Sequence, residues 1–405
     1  MLAATAREAA AKAAAPGADV RRVPIAERAD WRTSAETLGF QFHTIHGEVY
    51  WDETAYYAFT LAQIEHDIEA PSEEIHEMAM ALVGEIVQSE SLLTRLAIPA
   101  RYWDWIRNSW RDASPHLYGR LDLAYDGKSP AKLYELNYDT PTSLYEAAFF
   151  QWHWLEQQRD RGVLPVGADQ YNRIQEALIE TFGTIAPRLP RPLYFSAVAE
   201  SREDQATITY LQDCAEQAGV ATRRIDIERI GLSSTGRFTD EDDQVIAALF
   251  KLYPLEFMFE EKYGPSLPDA AIVLIEPPWK SLLSNKGVLP LLWERHTGHP
   301  NLLPAFFHDP LQETLAPGWV QKPFFSREGA NIAIRLPDGS IQSTDGPYDD
   351  AQSIRQQFHA LPDFGHGRAL VGSWIVADQA VGIGIREDDT LITQDTSRFV
   401  PHAIV

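Results

Sequence analysis

The chain of 405 residues contains one cysteine, Cys214. An intrachain disulfide is therefore impossible, and a cysteine-based zinc cluster is strongly disfavoured. Cys214 lies in the sequence Tyr-Leu-Gln-Asp-Cys-Ala-Glu-Gln-Ala-Gly, whose apolar spacing is typical of an amphipathic helix that ends at Gly219. We interpret this cysteine as a packing residue rather than as a nucleophile.

Long apolar runs are also missing. No stretch approaches the ~20 consecutive apolar residues that a membrane-spanning helix needs. The N-terminus is rich in alanine and alternating charges and lacks the apolar centre of a secretion signal. We therefore expect a cytoplasmic protein without membrane attachment.

Positive charge is scarce, because 35 lysine and arginine residues stand against 58 aspartate and glutamate residues, for a net charge of −23. This balance argues against generic binding to nucleic acid or to anionic membranes. A few local cations could still bind a small anionic ligand. Hydrophobic residues make up 45% of the chain, which is enough for a large packed core.

The composition divides the chain into a short tail and one body. Residues 1–30 begin with the alanine-rich stretch Ala3 to Ala15, which has almost no large apolar residue to dock it and is followed by Pro16-Gly17. We expect a flexible tail there, with a docked helix as the alternative. Residues 31–405 contain no linker and no repeat, so we expect a single interlocked body.

The body has a mixed α/β (α+β) pattern. Helical spacing is found over Tyr56–Glu69, Ser72–Leu96 and Thr142–Gln158. Alternating apolar and polar residues on both sides of Asp126-Gly127 predict a β-hairpin from Leu121 to Asn137. Further strands are predicted at 319–322, 330–335, 369–376 and 379–386.

Residues 192–275 form a distinct lobe in the prediction. The pattern gives strands at 192–198, 221–227 and 271–275, with helices at Asp204–Ala218 and Asp242–Leu249 between them. Alternation of strands and helices in this order predicts a parallel βαβ arrangement.

The predicted hairpin carries the residues best suited to chemistry. Side chains two apart in a strand share a face, so Arg120 would accompany Asp122, and Glu135 would accompany Asn137. Oxygen ligands beside a guanidinium suit Mg²⁺ and a polyphosphate. The hydroxyls that follow could bind an anion at a helix start; they belong to Thr140, Thr142 and Ser143. A solvated hairpin face with a capped helix is the open alternative.

Two lysines and a loop of small residues could complete such a site. Lys286 opens an apolar helix, and Lys322 ends a predicted strand. The loop after Lys322 could fold over nucleotide phosphates, although an ordinary surface hairpin is the alternative; its candidate contact residues are Ser326, Gly329, Ala330 and Asn331. Arg386 and Arg398 end or follow strands, and each could equally form an ordinary ion pair.

These residues, together with other ordered motifs from about Trp31 to His402, resemble the synthetase domain of glutathionylspermidine synthase. The motifs that carry the resemblance include Arg120-x-Asp122, Glu135-x-Asn137-x-Asp139-Thr-Pro-Thr-Ser, Glu276-Pro-Pro-Trp-Lys280, Leu283-Ser-Asn-Lys286, Arg327-Glu-Gly-Ala-Asn, Gly372-Ser-Trp, Gly382-Ile-Gly-Ile-Arg386-Glu and Ser397-Arg-Phe-Val-Pro-His.

The resemblance implies an ATP-grasp type fold with a lobe like the pre-ATP-grasp domain, and an ATP-dependent ligase that joins a carboxylic acid to an amine. By likeness, Asp122, Glu135 and Asn137 match magnesium ligands, and Arg120 matches a residue near the transferred phosphate. Lys286 and Lys322 match nucleotide-contacting lysines. Thr140 and Thr142 stand near the expected peptide substrate. Arg386 matches an arginine that closes on the reacting groups, with Arg398 as its competitor.

One departure concerns the N-terminus. Bifunctional members of the family carry a cysteine amidase domain, which the roughly 30 residues before the match cannot form, so we do not expect hydrolysis of the conjugate. The residues do not fix the acid and the amine as glutathione and spermidine. Two other functions stay open: a catalytically silent nucleotide-binding relative, and a small-molecule kinase on the same fold.

Overall fold

A computed structural model describes residues 19–45, 47–309, 314–348, 352–394 and 396–405. Its strands, in chain order, are β1 (Arg21–Pro24), β2 (Thr44–Ile45), β3 (Glu48–Val49), β4 (Ala55–Phe59), β5 (Tyr118–Ala124), β6 (Lys132–Asn137), β7 (Leu193–Ser196), β8 (Thr222–Arg224), β9 (Gly231–Leu232), β10 (Phe238–Thr239), β11 (Ala248–Lys251), β12 (Val273–Ile275), β13 (Ala305–Phe307), β14 (Trp319–Pro323), β15 (Ala333–Arg335), β16 (Ile341–Ser343), β17 (Ser353–Gln357), β18 (Arg368–Val376), β19 (Gln379–Asp388), β20 (Arg398–Val400) and β21 (His402–Ile404).

The α-helices are α1 (Trp31–Thr37), α2 (Ala70–Ile86), α3 (Glu90–Arg95), α4 (Trp103–Arg111), α5 (Gln151–Asp160), α6 (Ile174–Ile185), α7 (Arg202–Gln217), α8 (Leu255–Glu260) and α9 (Val288–Arg295). A π-helical segment precedes α2 (Gln63–Glu69) and another precedes α5 (Glu146–Phe150). Within the described part of the chain, no helix is long and apolar enough to cross a bilayer.

An antiparallel five-stranded sheet, here called the central sheet, has the order β20-β19-β18-β5-β6. The pairing of β5 with β6 confirms the predicted hairpin, and Gly127 adopts a positive φ of 84° in the turn. Helix α2 covers the back of this sheet, where the Ser72 hydroxyl donates to Ser373 Oγ at 2.8 Å. The polar residues of the hairpin therefore face the opposite, open side.

A second antiparallel sheet, the cover sheet, lies over that open side. Its order is β13-β17-β14-β15-β16. The predicted strand at 330–335 is shorter than expected, because β15 begins only at Ala333 and the preceding residues belong to a loop. The candidate site lies between the central and cover sheets.

The predicted βαβ lobe is confirmed as a parallel sheet of order β12-β11-β7-β8, but the prediction of one of its helices is wrong. The helix predicted at Asp242–Leu249 is replaced by an irregular segment and by β11, which lies in the middle of the sheet. All four residues of β11 are buried. A short strand buried on both faces has no alternating pattern, so the period of its apolar residues cannot distinguish strand from helix.

A small sheet of order β1-β4-β21 corrects two further expectations. Residues 1–18 of the predicted flexible tail lie outside the described residues, but Arg21–Pro24 form β1 and pair with β4. The helix predicted from Tyr56 begins later, because Ala55–Phe59 form β4 between β1 and β21. Every residue of β4 is buried, which again hides the strand period.

Buried His402 in β21 predicts a pH-dependent stability. Burial lowers its pKa from 6.5 to about 3, and Nδ1 pairs with Gln151 Oε1 at 2.9 Å. The ring stays neutral in the fold but binds a proton in the unfolded chain, so stability present above pH ~6.5 is lost as the pH falls toward 3. Between pH 7 and pH 5, the free energy of unfolding of wild type should fall about 2 kcal/mol more than that of His402→Gln. Urea unfolding at the two pH values measures this, and parallel losses in both proteins would contradict it.

Candidate functional site

The hairpin of β5 and β6 brings the four predicted polar residues together. In the strand register, Arg120 stands opposite Asn137 and Asp122 stands opposite Glu135. Asn137 Nδ2 donates to Asp122 Oδ2 at 3.2 Å and to Glu135 Oε1 at 3.4 Å. Arg120 Nε donates to Asp122 Oδ1 at 2.6 Å. The alternation of the strand predicted this shared face correctly.

Arg120 links this cluster to the segment that follows β6. Its Nη1 donates to the carbonyl oxygen of Thr142 at 2.6 Å, and its guanidinium lies 5.8 Å from the Trp374 ring centroid. A Cβ atom on Gly372 would come within 2.9 Å of Arg120 Cδ. Glycine in the Gly372-Ser-Trp motif therefore makes room for the arginine on the neighbouring strand.

Lys286 and Lys322 approach the same carboxylate from the cover side. Lys286 Nζ lies 3.2 Å from Glu135 Oε2, and Lys322 Nζ donates to the Tyr134 carbonyl at 3.2 Å. Burial alone would raise the pKa of Glu135, but the two lysines outweigh it and hold that pKa at about 2. Burial also lowers the pKa of Lys322 to about 8. Three cations against two carboxylates leave positive charge for an anionic ligand.

Four of these residues line the polar end of a cleft between the central and cover sheets. Asp122, Glu135, Lys286 and Lys322 line that end. The other end is apolar and is lined by Leu303, Val320, Ile332, Ile334, Phe358 and Leu370. An apolar slot that leads to clustered cations and carboxylates suits a planar base joined to a polyphosphate.

The loop Ser326–Asn331, here called the cover loop, closes one side of the cleft. Ser326 and Gly329 line the cleft, and Lys286 Nζ donates to the Ser326 carbonyl at 2.5 Å. Gly329 has φ 72°, and a Cβ there would lie 2.5 Å from the Thr393 carbonyl oxygen, so glycine is required. Ala330 and Asn331 hold the base of the loop instead: Ala330 N–H donates to the Arg327 carbonyl, and Asn331 Oδ1 accepts from Tyr348 N–H.

Arg327 of the cover loop was not singled out from the sequence, although its motif was part of the resemblance. Its Nη1 donates to Thr140 Oγ1 at 2.6 Å, and its Nη2 donates to Glu256 Oε1 at 2.7 Å. Arg327 thereby joins the cover loop to the segment after β6 and to helix α8 of the parallel lobe. Contacts between residues 187 and 71 positions apart leave no local pattern in the sequence.

The segment Tyr138–Ser143, here called the substrate loop, is fixed from the parallel lobe as well. Asp139 and Lys251 form an ion pair whose side chains are both fully buried. Asp139 Oδ2 also accepts from the Leu255 N–H at 2.8 Å, at the start of α8. Thr140 and Ser143 are buried, and Ser143 has a positive φ of 65°. The predicted substrate residues therefore lie on a loop held between three parts of the fold.

Arg386 lies on β19. It interacts electrostatically with Tyr50, Glu146 and Glu203, three residues that the sequence analysis did not single out. Its Nη2 donates to the Gln394 carbonyl. Burial and then Glu146 raise the pKa of Glu203 to about 8. Arg398, the competing candidate, forms ion pairs instead: its Nη2 lies 3.0 Å from Glu387 Oε1 and 2.8 Å from Asp389 Oδ1.

The donor set of the hairpin fits Mg²⁺. Carboxylate and amide oxygens are hard ligands, and Mg²⁺ usually keeps several waters and phosphate oxygens besides one or two carboxylates. Within the described ranges, no group of three or more His, Cys, Asp or Glu side chains is placed to hold a metal ion. Asp122, Glu135 and Asn137 are the residues that would hold Mg²⁺ beside a bound triphosphate.

Comparison with known proteins agrees with the geometry. The family described as glutathionylspermidine synthase preATP-grasp matches residues 22–405. The chain belongs to the glutathionylspermidine synthase family. This assignment confirms the resemblance deduced from the motifs, and the family consists of ATP-dependent synthetases.

Individual members of the family differ in length and in the activities their names state. A Haemophilus influenzae protein to which an acid–amine ligase activity is ascribed is 37% identical over 91% of this chain and 95% of its own. Trypanothione synthetase of Crithidia fasciculata is 24% identical over 80% of this chain and 53% of its own. The bifunctional glutathionylspermidine synthetase/amidase of Escherichia coli is 22% identical, and the match covers 63% of that protein.

A solved structure confirms the fold class. A glutathione synthetase-like effector from Globodera pallida superposes with a TM-score of 0.56 at 12% identity, covering 93% of this chain and 96% of that one. The predicted mixed α/β, ATP-grasp type fold is therefore correct.

The lowered pKa of Lys322 predicts a pH limit for nucleotide binding. Lys322 is protonated below pH ~8 and loses its charge above it, while a bound triphosphate favours the charged form. Affinity for a non-hydrolysable ATP analogue with Mg²⁺ should therefore fall by up to about tenfold per pH unit above pH 8. Lys322→Arg, which stays charged, should remove this decline. Calorimetric titration at several pH values measures both proteins, and the same decline in the arginine variant would contradict the assignment.

Proposed function

We propose that this protein is an ATP- and Mg²⁺-dependent ligase that forms an amide between a peptide-like acid and a polyamine-like amine. The observation that carries the proposal is a cleft with two carboxylates and two lysines at its polar end and an apolar opposite end. Arg120 is bonded to one of the two carboxylates, Asp122. Family membership supports the ligase class, because the relatives are synthetases. The acid and the amine themselves are part of the proposal.

In the first step, the carboxylate of the acid attacks the γ-phosphorus of ATP, and ADP leaves. This step brings an anion toward a polyanion, so the protein must neutralise charge and align the two groups. Arg120, Lys286 and Lys322 supply positive charge at the polar end of the cleft. Mg²⁺ on Asp122, Glu135 and Asn137 would neutralise the phosphates further.

In the second step, an amine attacks the acyl phosphate and phosphate leaves. Water would destroy this intermediate, so the site must exclude it. The cover loop stands over the polar end of the cleft, and Arg327 ties it to the substrate loop at Thr140. Such a closed arrangement suits an intermediate that must outlast the arrival of the second substrate.

The surroundings of the substrate loop suit both partners. Hydroxyls of Thr140 and Ser143, with Arg386 nearby, can hold the carboxylate end of a peptide. Glu203 and Asp204, at the start of α7, place two carboxyl groups on the same side. Burial raises the pKa of both, and a bound polycation would favour their ionised forms. An acidic wall beside the acyl site suits a polyamine, which carries several positive charges.

The direct test is a screen for ATP turnover. The protein is incubated with ATP, Mg²⁺, peptides including glutathione, and polyamines including spermidine, and ADP release and products are measured by mass spectrometry. An amide product with matched ADP and phosphate supports the proposal. A phosphate ester would show a kinase instead, and nucleotide binding without any turnover would show a silent binding protein.

The hairpin residues should be essential for turnover. Loss of one transition-state contact typically slows a reaction by ~10²–10³-fold, so Asp122→Ala, Glu135→Ala and Arg120→Ala should each reduce the rate of ADP formation by about that factor. Thermal unfolding checks that the variants remain folded. Glu156→Ala, which removes an exposed carboxylate on α5, is the control and should behave as wild type. Turnover near the wild-type rate in all three site variants would remove the hairpin from the mechanism.

Arg327 should control whether ATP consumption is coupled to amide formation. Arg327→Ala removes the contacts with Thr140 and Glu256, so water should reach the acyl phosphate more readily. The ratio of ADP to amide should then rise well above unity, while the substitution of exposed Arg229 by alanine leaves it near unity. Parallel assays of ADP and of amide give the ratio. An unchanged ratio at a reduced rate would assign Arg327 to catalysis alone.

A further inference from the structure

Glu146 is a fully buried acid beside the substrate loop to which neither the sequence motifs nor the proposed mechanism gives a role. It stands four residues after Thr142, one helical turn further along the chain. Tyr50 Oη donates to Glu146 Oε1 and lies 3.1 Å from Ser143 Oγ. Among the residues that the structure describes, Glu146 Oε2 has no hydrogen-bond partner.

An unpartnered carboxylate oxygen in the interior is unfavourable, because it has lost its hydration without gaining a donor. Burial accordingly raises the pKa of Glu146. Arg386, which acts on this carboxylate, has an equally unpartnered buried Nε. Glu146 Oε2 lacks a donor and Arg386 Nε lacks an acceptor. A ligand with both an N–H donor and an oxygen acceptor would satisfy the two groups.

Contacts place this pair next to the reacting groups. Arg120 donates both to Asp122, a proposed magnesium ligand, and to the Thr142 carbonyl, one helical turn before Glu146. Arg120 also acts electrostatically on Glu146. Glu146 therefore lies within electrostatic reach of the guanidinium that contacts the proposed magnesium ligand Asp122.

We propose that Glu146 receives the attacking amine: its unpartnered Oε2 accepts a hydrogen bond from the amine nitrogen and then takes the proton that this nitrogen must lose. Arg386 Nε would bind the oxygen of the acyl group at the same time. The inference rests on the proposed ligase function and adds a proton acceptor to it.

The proton balance is simple. An alkylammonium ion transfers one proton to Glu146 Oε2, and the freed lone pair forms the C–N bond to the acyl carbon. The C–O bond to phosphate breaks with its electron pair on the phosphate, which takes the second proton from nitrogen. Glu146 then releases its proton to solvent.

The test compares two nucleophiles in Glu146→Gln. The amide oxygen can still accept from Tyr50, but the side chain can no longer take a proton. Spermidine is an ammonium ion at neutral pH and needs a base, whereas hydroxylamine is already neutral and does not. With the acid identified in the substrate screen, amide formation should fall by ~10²–10³-fold, as expected for a lost general base, while ATP-dependent hydroxamate formation remains at the wild-type rate.

Each outcome decides a different point. Equal loss with both nucleophiles would mean that Glu146 only shapes the substrate loop, and equal retention would mean that it has no part in proton transfer; either result overturns the inference. Absence of hydroxamate in wild type would overturn the acyl-phosphate route and the inference with it. Glu156→Gln, the same change on the exposed face of α5, is the matched control and should leave both rates unchanged.

A second measurement needs no variant. In wild type, the rate of amide formation should fall at low pH along a limb that is missing from hydroxamate formation when that rate is expressed per neutral hydroxylamine, because only the amine reaction needs an ionised acceptor. The charged and titratable groups that act on this acceptor are Tyr50, Glu203, Arg120 and Arg386. Identical acidic limbs for both nucleophiles would overturn the proposal even if Glu146→Gln failed to fold.

Discussion

The register between two neighbouring strands governs the site. Because Asp122 pairs with Glu135 and Arg120 with Asn137, four polar side chains meet on one face of the central sheet. A shift by one residue would turn the face toward α2 and its apolar packing. The cations of the cover side, the cleft and the position of the substrate loop all depend on this alignment.

The charges gathered by that alignment favour an anionic ligand. The lysines from the cover side lower the pKa of Glu135 despite its burial, and they leave an excess of positive charge where a triphosphate would lie. Arg120 extends this positive charge to the substrate loop, because its Nη1 donates to the Thr142 carbonyl oxygen. One guanidinium therefore connects the carboxylates of the hairpin with the loop after β6.

Local patterns predicted much of this, and long-range contacts explain what they missed. Alternation around Asp126-Gly127 gave the hairpin, and alternation of strands with helices gave the parallel lobe. The same reasoning failed for β4 and β11, since strands buried on both faces carry no period. Tyr50, Glu146 and Glu203 left no signal in the sequence, because their contacts are long-range: Tyr50 and Glu146 lie 96 positions apart. Family motifs predicted a role for Arg386, which stays a prediction; its contacts in the structure differ from those of Arg398.

The buried Asp139–Lys251 pair bears on how substrate preference can diverge among relatives. Lys251 comes from the parallel lobe, whereas Asp139 belongs to the loop that continues directly from the hairpin of β5 and β6. Recombination with a relative whose lobe has no lysine at this position would leave Asp139 unpaired in the interior, at a large energetic cost. Lobe and loop should therefore be inherited together, and chimeric enzymes built to swap specificity need their junctions placed so that both halves of the pair come from the same parent.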